Sequence, residues 1–171
     1  VTRWIVCNET ATTAVIDGGN GMGMVVGHHA MKLALGKARQ YGLGAVAVRN
    51  SSHYGIAGYY AGMAAKEEMI GIAVTNAHPS IAPTFGTEPM LGTNPIAFCA
   101  PTDEAFDFSF DAATSIAPRG KLEVAARAGV AIPEGWVIGE DGTPVTDSRD
   151  LTALMDRKNV ALLPLGGSGE L

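Results

Sequence analysis

The segment from Val48 to Gly55 holds the residue type best suited to proton transfer in this chain. Its sequence, Val-Arg-Asn-Ser-Ser-His-Tyr-Gly, places His53 after a short apolar run and before a segment of small residues. A histidine accepts or donates a proton near neutral pH, and reactive groups of α/β proteins commonly lie in loops past strand ends. His53 is therefore a candidate acid–base catalyst, although a structural loop histidine would produce the same local pattern.

Asp111 is a second candidate, because it closes a run in which Phe106, Phe108 and Phe110 alternate with polar residues. The sequence Asp-Ala-Ala-Thr-Ser begins at this aspartate, and its small side chains let a ligand approach the backbone. A carboxylate beside an imidazole raises the basicity of the ring and fixes its tautomer, so a pairing of Asp111 with His53 is a hypothesis. The alternative is structural, since aspartates at strand ends commonly cap helices or close turns.

Two further segments, Thr75-Asn76-Ala77 and Thr93-Asn94-Pro95, carry short polar side chains without charge. Such side chains suit the amides and hydroxyls of a ligand, but they also serve in turns and helix caps. The residues alone leave both interpretations open.

The elements that must position these residues alternate between strands and helices. Apolar periodicity and turn signals predict strands over 12–17, 45–48, 72–75, 96–100 and 106–111, and helices over 26–40, 57–68 and 119–127. Residues 17–21 are expected to form a turn, Gly42 to end the first helix, and the aromatic face of the last strand to meet the core. A short loop joins the last two strands, which predicts an antiparallel pair and hence an α/β fold with a mixed parallel/antiparallel sheet flanked by helices.

A glycine-rich segment, residues 18–27, has the position of a dinucleotide-binding turn. It lies between a predicted strand and a helix, and the next strand ends in Arg49, which is placed to hold a 2′-phosphate. Its spacing, Gly21-x-Gly23-x-x-x-Gly27, departs from Gly-x-Gly-x-x-Gly. The spacing therefore argues against a Rossmann site at this turn.

Several segments in a fixed order give the chain a family resemblance. They are the Asn-Ser-Ser-His-Tyr-Gly stretch, Thr75 to Ala77, Leu91 to Ala97, Asp111 to Ser115, Arg119 to Lys121 and Ile132 to Trp136. Together they resemble the malate/L-lactate dehydrogenase family, which is unrelated to the Rossmann lactate dehydrogenases. That family includes ureidoglycolate, sulfolactate and diketogulonate dehydrogenases and the piperideine-carboxylate reductases. The resemblance runs from about Val15 to Leu171.

The resemblance implies a non-Rossmann NAD(P)-binding fold, a nicotinamide cofactor that is NAD or NADP, and a homodimer. It also implies hydride transfer between the nicotinamide and C2 of a small 2-hydroxy or 2-oxo acid, or of an imino acid. His53 and Asp111 are then expected to be catalytic. The residues expected to contact the cofactor are Ser51, Ser52, Asn76, Ala77, Thr93, Asp111, Ala112 and Ala113.

Residues 1–171 are expected to be the central NAD(P)-binding domain of a longer enzyme, since the chain starts at Val1 and stops in a glycine-rich turn. By the resemblance, a preceding helical part carries a Ser-His-Gly motif and a substrate-binding arginine, and a following part carries Lys-Gly-Tyr-Gly. By the same resemblance, the acid–base role is either divided between His53 and the histidine of that Ser-His-Gly motif or lies outside this chain, and that histidine is the alternative partner of Asp111. The rival interpretation is a non-catalytic cofactor-binding or structural fragment.

Composition argues against several partners and sites. The chain has a formal net charge of -5 and no basic cluster, which disfavours nucleic acids and membranes and leads us to expect a cytoplasmic protein. Cys7 and Cys99 are expected to be buried free thiols, and the spacing of the histidines predicts no metal site. Tyr59, Tyr60 and Trp136 are expected to pack in a core or interface rather than on a cofactor.

Overall fold

The fold is that of a computed structural model, which describes residues 2–167. Residues 1 and 168–171, at the two ends of the expected domain, lie outside the described residues. The strands are β1 (Ile5–Glu9), β2 (Thr13–Gly21), β3 (Ala45–Ser51), β4 (Gly71–Val74), β5 (Ile96–Ala100), β6 (Phe108–Ala112), β7 (Val137–Gly139) and β8 (Val160–Leu162). The helices are α1 (Gly23–Tyr41), α2 (Ala57–Ala65), α3 (Arg119–Ala128) and α4 (Leu151–Asp156).

The described residues form two compact units. Unit 1 contains the residues up to Ala73 together with Ala97–Asp111. Unit 2 contains Val74–Ile96 together with the residues from Ala112 onward. Each unit has buried apolar clusters of its own.

The first sheet of unit 1 has the strand order β1-β2-β3 and is mixed. β1 pairs antiparallel with β2, and β2 pairs parallel with β3, with Asp17 opposite Arg49. Ile16 of β2 packs with Val26 and Ala30 of α1 in one buried cluster. The mixed sheet flanked by a helix, predicted from the sequence, is confirmed.

Helix α1 begins at Gly23, before the start indicated by the apolar periodicity, and Gly42 ends it as predicted, in the left-handed region with φ 80°. Lys37 on this helix is buried and donates to the Glu9 carboxylate at 2.8 Å and to the Thr10 carbonyl at 2.7 Å. These bonds compensate the cost of burying the ammonium group and hold the helix against the end of β1.

The second sheet has the strand order β4-β5-β6, and α2 covers one side of β4 and β5. Small residues bring the helix close, since a Cβ on Gly71 would lie 2.2 Å from the carbonyl oxygen of Ala61. The buried cluster consists of Ala57, Tyr60, Ala61, Ala65, Ala73, Ala97 and Cys99. α2 ends at Ala65, earlier than predicted, because the chain turns through Glu68, whose φ of 58° does not continue a helix.

The aromatic face of β6 contradicts the sequence-based expectation. Alternation predicted that Phe106, Phe108 and Phe110 would meet the core, but these rings are 73%, 53% and 45% exposed within the described part of the chain. The reason is that α2 packs on the side of the sheet that carries small residues such as Ala97, while β6 lies at the sheet edge. The periodicity identified the strand but not which of its faces would be covered.

The predicted turn at residues 17–21 is also wrong, because β2 continues to Gly21. Gly18 approaches β3 so closely that a Cβ there would lie 2.8 Å from the carbonyl oxygen of Asn50. The pairing register shifts within this stretch, so the strand is irregular. The glycines therefore serve close strand packing rather than a reversal of the chain.

Some of the side chains that were predicted to be buried are buried, and others are exposed. Cys99 is buried as expected, but Cys7 is exposed, because every residue of the edge strand β1 is exposed. Tyr60 is 3% exposed and lies in the core, whereas Tyr59 is 55% exposed. Trp136 packs against the apolar cluster of unit 2, in agreement with the prediction.

Unit 2 is built around one apolar cluster, with β7 and β8 paired antiparallel. The buried members of this cluster are Ile81, Leu122, Ile132, Val137, Leu151, Met155, Val160 and Leu162. Within residues 2–167, no helix has the length and apolar character needed to cross a bilayer.

Candidate functional site

His53 lies on the exposed segment between the end of β3 and the start of α2. Its Nδ1 accepts a hydrogen bond from the backbone N–H of Gly55 at 3.0 Å. Gly55 has a φ of 83°, a conformation that favours glycine. Because Nδ1 accepts, the neutral ring carries its proton on Nε2, which is not used in any hydrogen bond among residues 2–167. The ring therefore presents an N–H donor to a ligand.

Ser52 joins the segment that carries His53 to the glycine-rich end of β2. The Ser52 hydroxyl donates to the carbonyl of Gly21 at 3.0 Å and accepts from the backbone N–H of Gly23 at 3.1 Å. Helix α1 has no capping bond from its own N-cap, Met22, so Ser52 caps this helix from 29 residues away. The neighbouring Ser51 is exposed, and among the described residues its hydroxyl donates only to the Ser52 carbonyl, at 3.5 Å.

Asp17 braces the end of β3 from the neighbouring strand. Its Oδ1 accepts the Gly19 N–H at 2.9 Å, and its Oδ2 accepts Arg49 Nε at 3.1 Å and Asn50 Nδ2 at 2.8 Å. The amide of Gly19, the side chain of Asn50 and the charge of Arg49 together hold the pKa of Asp17 below its ordinary value. Arg49, a sequence-based candidate for a 2′-phosphate, is thus paired with a carboxylate of the chain itself.

These bonds predict an acid dependence for this part of unit 1. The folded-state pKa of Asp17 lies below its ordinary value of 3.8, so the stabilisation is complete above that pH and is lost as the pH falls through the folded-state pKa. A carboxyl NMR titration should therefore give a midpoint below 3.8 for Asp17, and Asp17→Asn should remove the acid response of the Gly19 and Asn50 amides. A titration midpoint of Asp17 at or above 3.8 would contradict the stabilisation of its carboxylate by these hydrogen bonds.

Asp111, at the end of β6, caps helix α2 in the same way that Ser52 caps α1. Its Oδ2 accepts the N–H of Gly58 at 2.6 Å, and α2 has neither its own side-chain cap nor an acidic residue in its first turn. Among residues 2–167, Asp111 and His53 hydrogen-bond to these backbone amides and not to each other. The predicted pair of Asp111 and His53 is therefore not a direct hydrogen bond. One oxygen of the Asp111 carboxylate caps helix α2 instead, which was the structural alternative.

Tyr54 links the His53 segment to α2. Its ring stacks on Tyr60 with centroids 4.8 Å apart, and the Tyr60 hydroxyl donates to the Tyr54 carbonyl. The Tyr54 hydroxyl is buried without a hydrogen-bond partner among the described residues. Burial, reinforced by the negative charge of Asp111, raises the pKa of Tyr54, so the phenol stays protonated.

In unit 2, hydrogen bonds of one asparagine and two threonines hold the segments that carry the candidate cofactor residues. Asn94 Oδ1 accepts the N–H of Ala77 at 2.9 Å, and the Thr93 carbonyl accepts both the N–H and the hydroxyl of Thr114, at 2.8 and 3.1 Å. These bonds bring the 75–77, 92–95 and 112–114 segments together. Asn76 remains exposed.

Several of the predicted cofactor residues, Asn76 among them, keep groups that a ligand can reach. Ala112 and Ala113 are half-buried, and the Ser51 hydroxyl is exposed. By contrast, the Ser52 hydroxyl and the Ala77 N–H already have partners within the chain. In the part of the chain that the structure describes, no cluster of three His, Cys, Asp or Glu side chains is placed to hold a metal ion.

Sequence reasoning missed the residues that support the candidates. Gly23 and Gly58 donate the backbone hydrogen bonds that Ser52 and Asp111 accept. The only signal for Gly23 was its place in a glycine-rich segment whose spacing did not fit a dinucleotide site. No local pattern marked Gly58, because its partner lies 53 residues away.

Comparison with known proteins places these features in one family. The family model for malate/L-lactate dehydrogenase matches residues 2–169. The chain is 54% identical over 166 residues to malate dehydrogenase from Pyrococcus horikoshii, covering 97% of this chain and 44% of that protein. It is 49% identical over 142 residues to L-sulfolactate dehydrogenase from Methanocaldococcus jannaschii, covering 83% of this chain and 41% of that protein.

A solved structure agrees in fold as well as in sequence. The crystal structure of malate dehydrogenase from Entamoeba histolytica matches with a TM-score of 0.93 and 49% identity, over 98% of this chain and 46% of that one. The chain thus spans less than half the length of the curated relatives it matches. With a family model that covers nearly every residue, the chain belongs to the malate/L-lactate dehydrogenase family.

Proposed function

We propose that this chain is the central NAD(P)-binding part of an oxidoreductase that moves a hydride between a nicotinamide and C2 of a small 2-hydroxy or 2-oxo acid. The observation that carries the proposal is the exposed His53 ring, fixed through Nδ1 by Gly55 with its Nε2–H directed to no other group of the described chain. The family of the chain and the names of its relatives, malate and sulfolactate dehydrogenase, support the substrate class.

The donor set of the chain fits a nicotinamide cofactor. The amide and ribose hydroxyls of such a cofactor need neutral hydrogen-bonding partners and small neighbouring side chains. Each unit taken by itself offers such groups, Ser51 in unit 1 and Asn76, Ala112 and Ala113 in unit 2. When bound, the nicotinamide supplies or accepts the hydride. The residues proposed to hold it are Ser51, Ser52, Asn76, Ala77, Thr93, Asp111, Ala112 and Ala113. Ser52 and Ala77 would contact it through other groups of the backbone, because the Ser52 hydroxyl and the Ala77 N–H already have partners in the chain.

His53 is proposed to donate or accept the proton that accompanies the hydride transfer. In reduction of a 2-oxo acid, the doubly protonated ring donates its Nε2 proton to the carbonyl oxygen that becomes the hydroxyl, and it is left neutral with a proton on Nδ1; in oxidation, that neutral ring accepts the hydroxyl proton at Nε2. Both directions need a proton on Nδ1, so the hydrogen bond from Gly55 must break before the transfer. The exposed position of His53 and the left-handed Gly55 leave room for that movement.

The proposal is tested on the full-length protein with a panel of acids. Malate and sulfolactate, each with NAD and with NADP, should give cofactor reduction that depends on the 2-hydroxy acid. Succinate is the matched control, because it lacks the hydroxyl from which oxidation starts. Binding of NADH or NADPH by fluorescence without turnover of either acid would contradict the proposal and favour a non-catalytic cofactor-binding role.

Two further expectations, on the oligomeric state and on the location in the cell, belong to the same proposal. We propose that the protein is a homodimer, and sedimentation velocity of the full-length protein should show a single species at twice the monomer mass. A cytoplasmic location is likewise proposed and is tested by cell fractionation. A monomeric active species would contradict the first, and a membrane-bound or secreted pool would contradict the second.

A further inference from the structure

The glycine-rich segment 18–23 has no ligand role in the proposed function, yet it lies directly against the backbone that carries His53. A Cβ on Gly23 would lie 2.0 Å from the carbonyl oxygen of Ser52 and 2.7 Å from that of His53. No side chain fits in that space, so any residue other than glycine would displace the His53 segment. The close packing of Gly23, in the first turn of α1, against this backbone therefore fixes the position of the His53 backbone.

Three hydrogen bonds fasten this contact, and all of them involve Ser52. Its hydroxyl accepts from the Gly23 N–H at 3.1 Å and donates to the Gly21 carbonyl at 3.0 Å. Its own N–H donates to the same Gly21 carbonyl at 3.3 Å. The single hydroxyl proton of Ser52 is thereby committed to the protein, which leaves the side chain with no donor for a ligand.

We infer that Ser52 is a positioning residue of the proposed reaction, which fixes through Gly21 and Gly23 the backbone from which His53 projects. This inference rests on the proposed function, since it matters for rate only if His53 acts on substrate. It also assigns a purpose to the glycine-rich segment, namely holding the catalytic loop rather than a phosphate. Small errors in such a position are costly, because a misplacement of about 1 Å lowers rates by about a hundredfold.

The test is a double-mutant cycle between Ser52 and His53 in the full-length protein. Ser52→Ala should lower kcat by about 10- to 100-fold, while the Kd of the cofactor measured by NADH or NADPH fluorescence changes by less than about twofold. In a His53→Ala background the same substitution should have no further effect on kcat. Non-additivity of this kind separates positioning from a general loss of stability.

Two kinds of variant keep the inference falsifiable if Ser52→Ala does not fold. Ser52→Cys keeps the size of the side chain but weakens both hydrogen bonds, so its kcat should fall between those of wild type and Ser52→Ala. Gly23→Ala should lower kcat without raising the KM of the acid. Gly36→Ala is the matched control, because it lies on the same helix and a Cβ there meets nothing within 4 Å.

The outcomes distinguish this inference from the proposed function. If His53→Ala lowers kcat strongly but Ser52→Ala is additive with it, or raises the Kd of the cofactor at unchanged kcat, the positioning role is wrong and the proposed function stands. If Ser52→Cys and Gly23→Ala both retain wild-type kcat, the positioning role is also wrong. If His53→Ala leaves kcat unchanged in an active enzyme, the catalytic assignment fails and the inference fails with it.

Discussion

Replacing His53 by alanine is expected to lower the kcat of the full-length protein by about 100- to 10,000-fold, the usual contribution of a positioned acid–base group. The KM of the acid and the Kd of the cofactor should change much less, because the ring transfers a proton in the transition state and contributes little to binding the substrate or the cofactor in the ground state. The fold should tolerate the change, since His53 is exposed and, among residues 2–167, its ring is hydrogen-bonded only to the N–H of Gly55, two residues away. Steady-state kinetics and cofactor fluorescence check both expectations.

A second substitution at the same position separates proton transfer from hydrogen bonding. Glutamine keeps an N–H donor near the place of Nε2 but cannot transfer a proton at neutral pH. If His53 exchanges a proton with substrate, His53→Gln should be nearly as slow as His53→Ala. A glutamine variant within about tenfold of wild type would instead make His53 a hydrogen-bond donor only.

His29→Ala is the matched control for these variants. His29 is also exposed, but it lies on α1, where its ring neighbours Trp4 with centroids 5.0 Å apart, and it has no part in the proposed site. Its replacement should leave kcat unchanged. Equal losses for His29→Ala and His53→Ala would point to damage to unit 1 as a whole and would contradict a specific role for His53.

The sequence predicted the elements better than it predicted their surroundings. Periodicity located α1, β5 and β6 and the left-handed Gly42, because these signals are local. The exposure of Phe108 and Phe110 could not be predicted, since alternation defines two faces and does not say which one a helix will cover. The residues 17–21 looked like a turn because close strand packing and turns both select glycine.

The helix caps show why the site was only partly predictable. Capping rules search for Ser, Thr, Asp or Asn directly before a helix, but Met22 and Ile56 occupy those places here. The caps come instead from Ser52 and Asp111, 29 and 53 residues from the amides they bind. Sequence patterns identified both residues as functional candidates, and only the fold showed that each also holds the start of a helix.

Asp111 has the second-largest predicted effect, because one carboxylate both caps α2 and is proposed to act at the cofactor. Asp111→Asn keeps an oxygen that can accept the Gly58 N–H but removes the negative charge. A hydrogen bond to a charged group contributes about 1.5–3 kcal/mol, and losing that energy in the transition state corresponds to a fall in kcat of about 10- to 150-fold. The Kd of the cofactor should change less than kcat.

The helix itself provides the complementary variant. Gly58→Ala keeps the charge but adds a Cβ 2.8 Å from Asp111 Oδ2 and 3.2 Å from Asp111 Cβ, so the carboxylate must move. Its kcat should fall together with that of Asp111→Asn. Gly62→Ala, on the same helix, adds a Cβ that meets nothing within 4 Å and should leave kcat unchanged.

Stability measurements then separate catalysis from capping at Asp111. Asp111→Ala removes the cap and should destabilise the fold by about 1–2 kcal/mol, whereas Asp111→Asn should cost much less. Asp111→Asn should also lower the pKa of Tyr54, because the charge that helps to raise it is gone, and an ultraviolet titration of the phenol can show this. If Asp111→Asn lowers the pKa of Tyr54 and keeps wild-type kcat, then the wild-type Asp111 carries a negative charge that the reaction does not use. Asp111 would then be a helix cap alone, and the acid–base chemistry of this chain would depend on His53 without it.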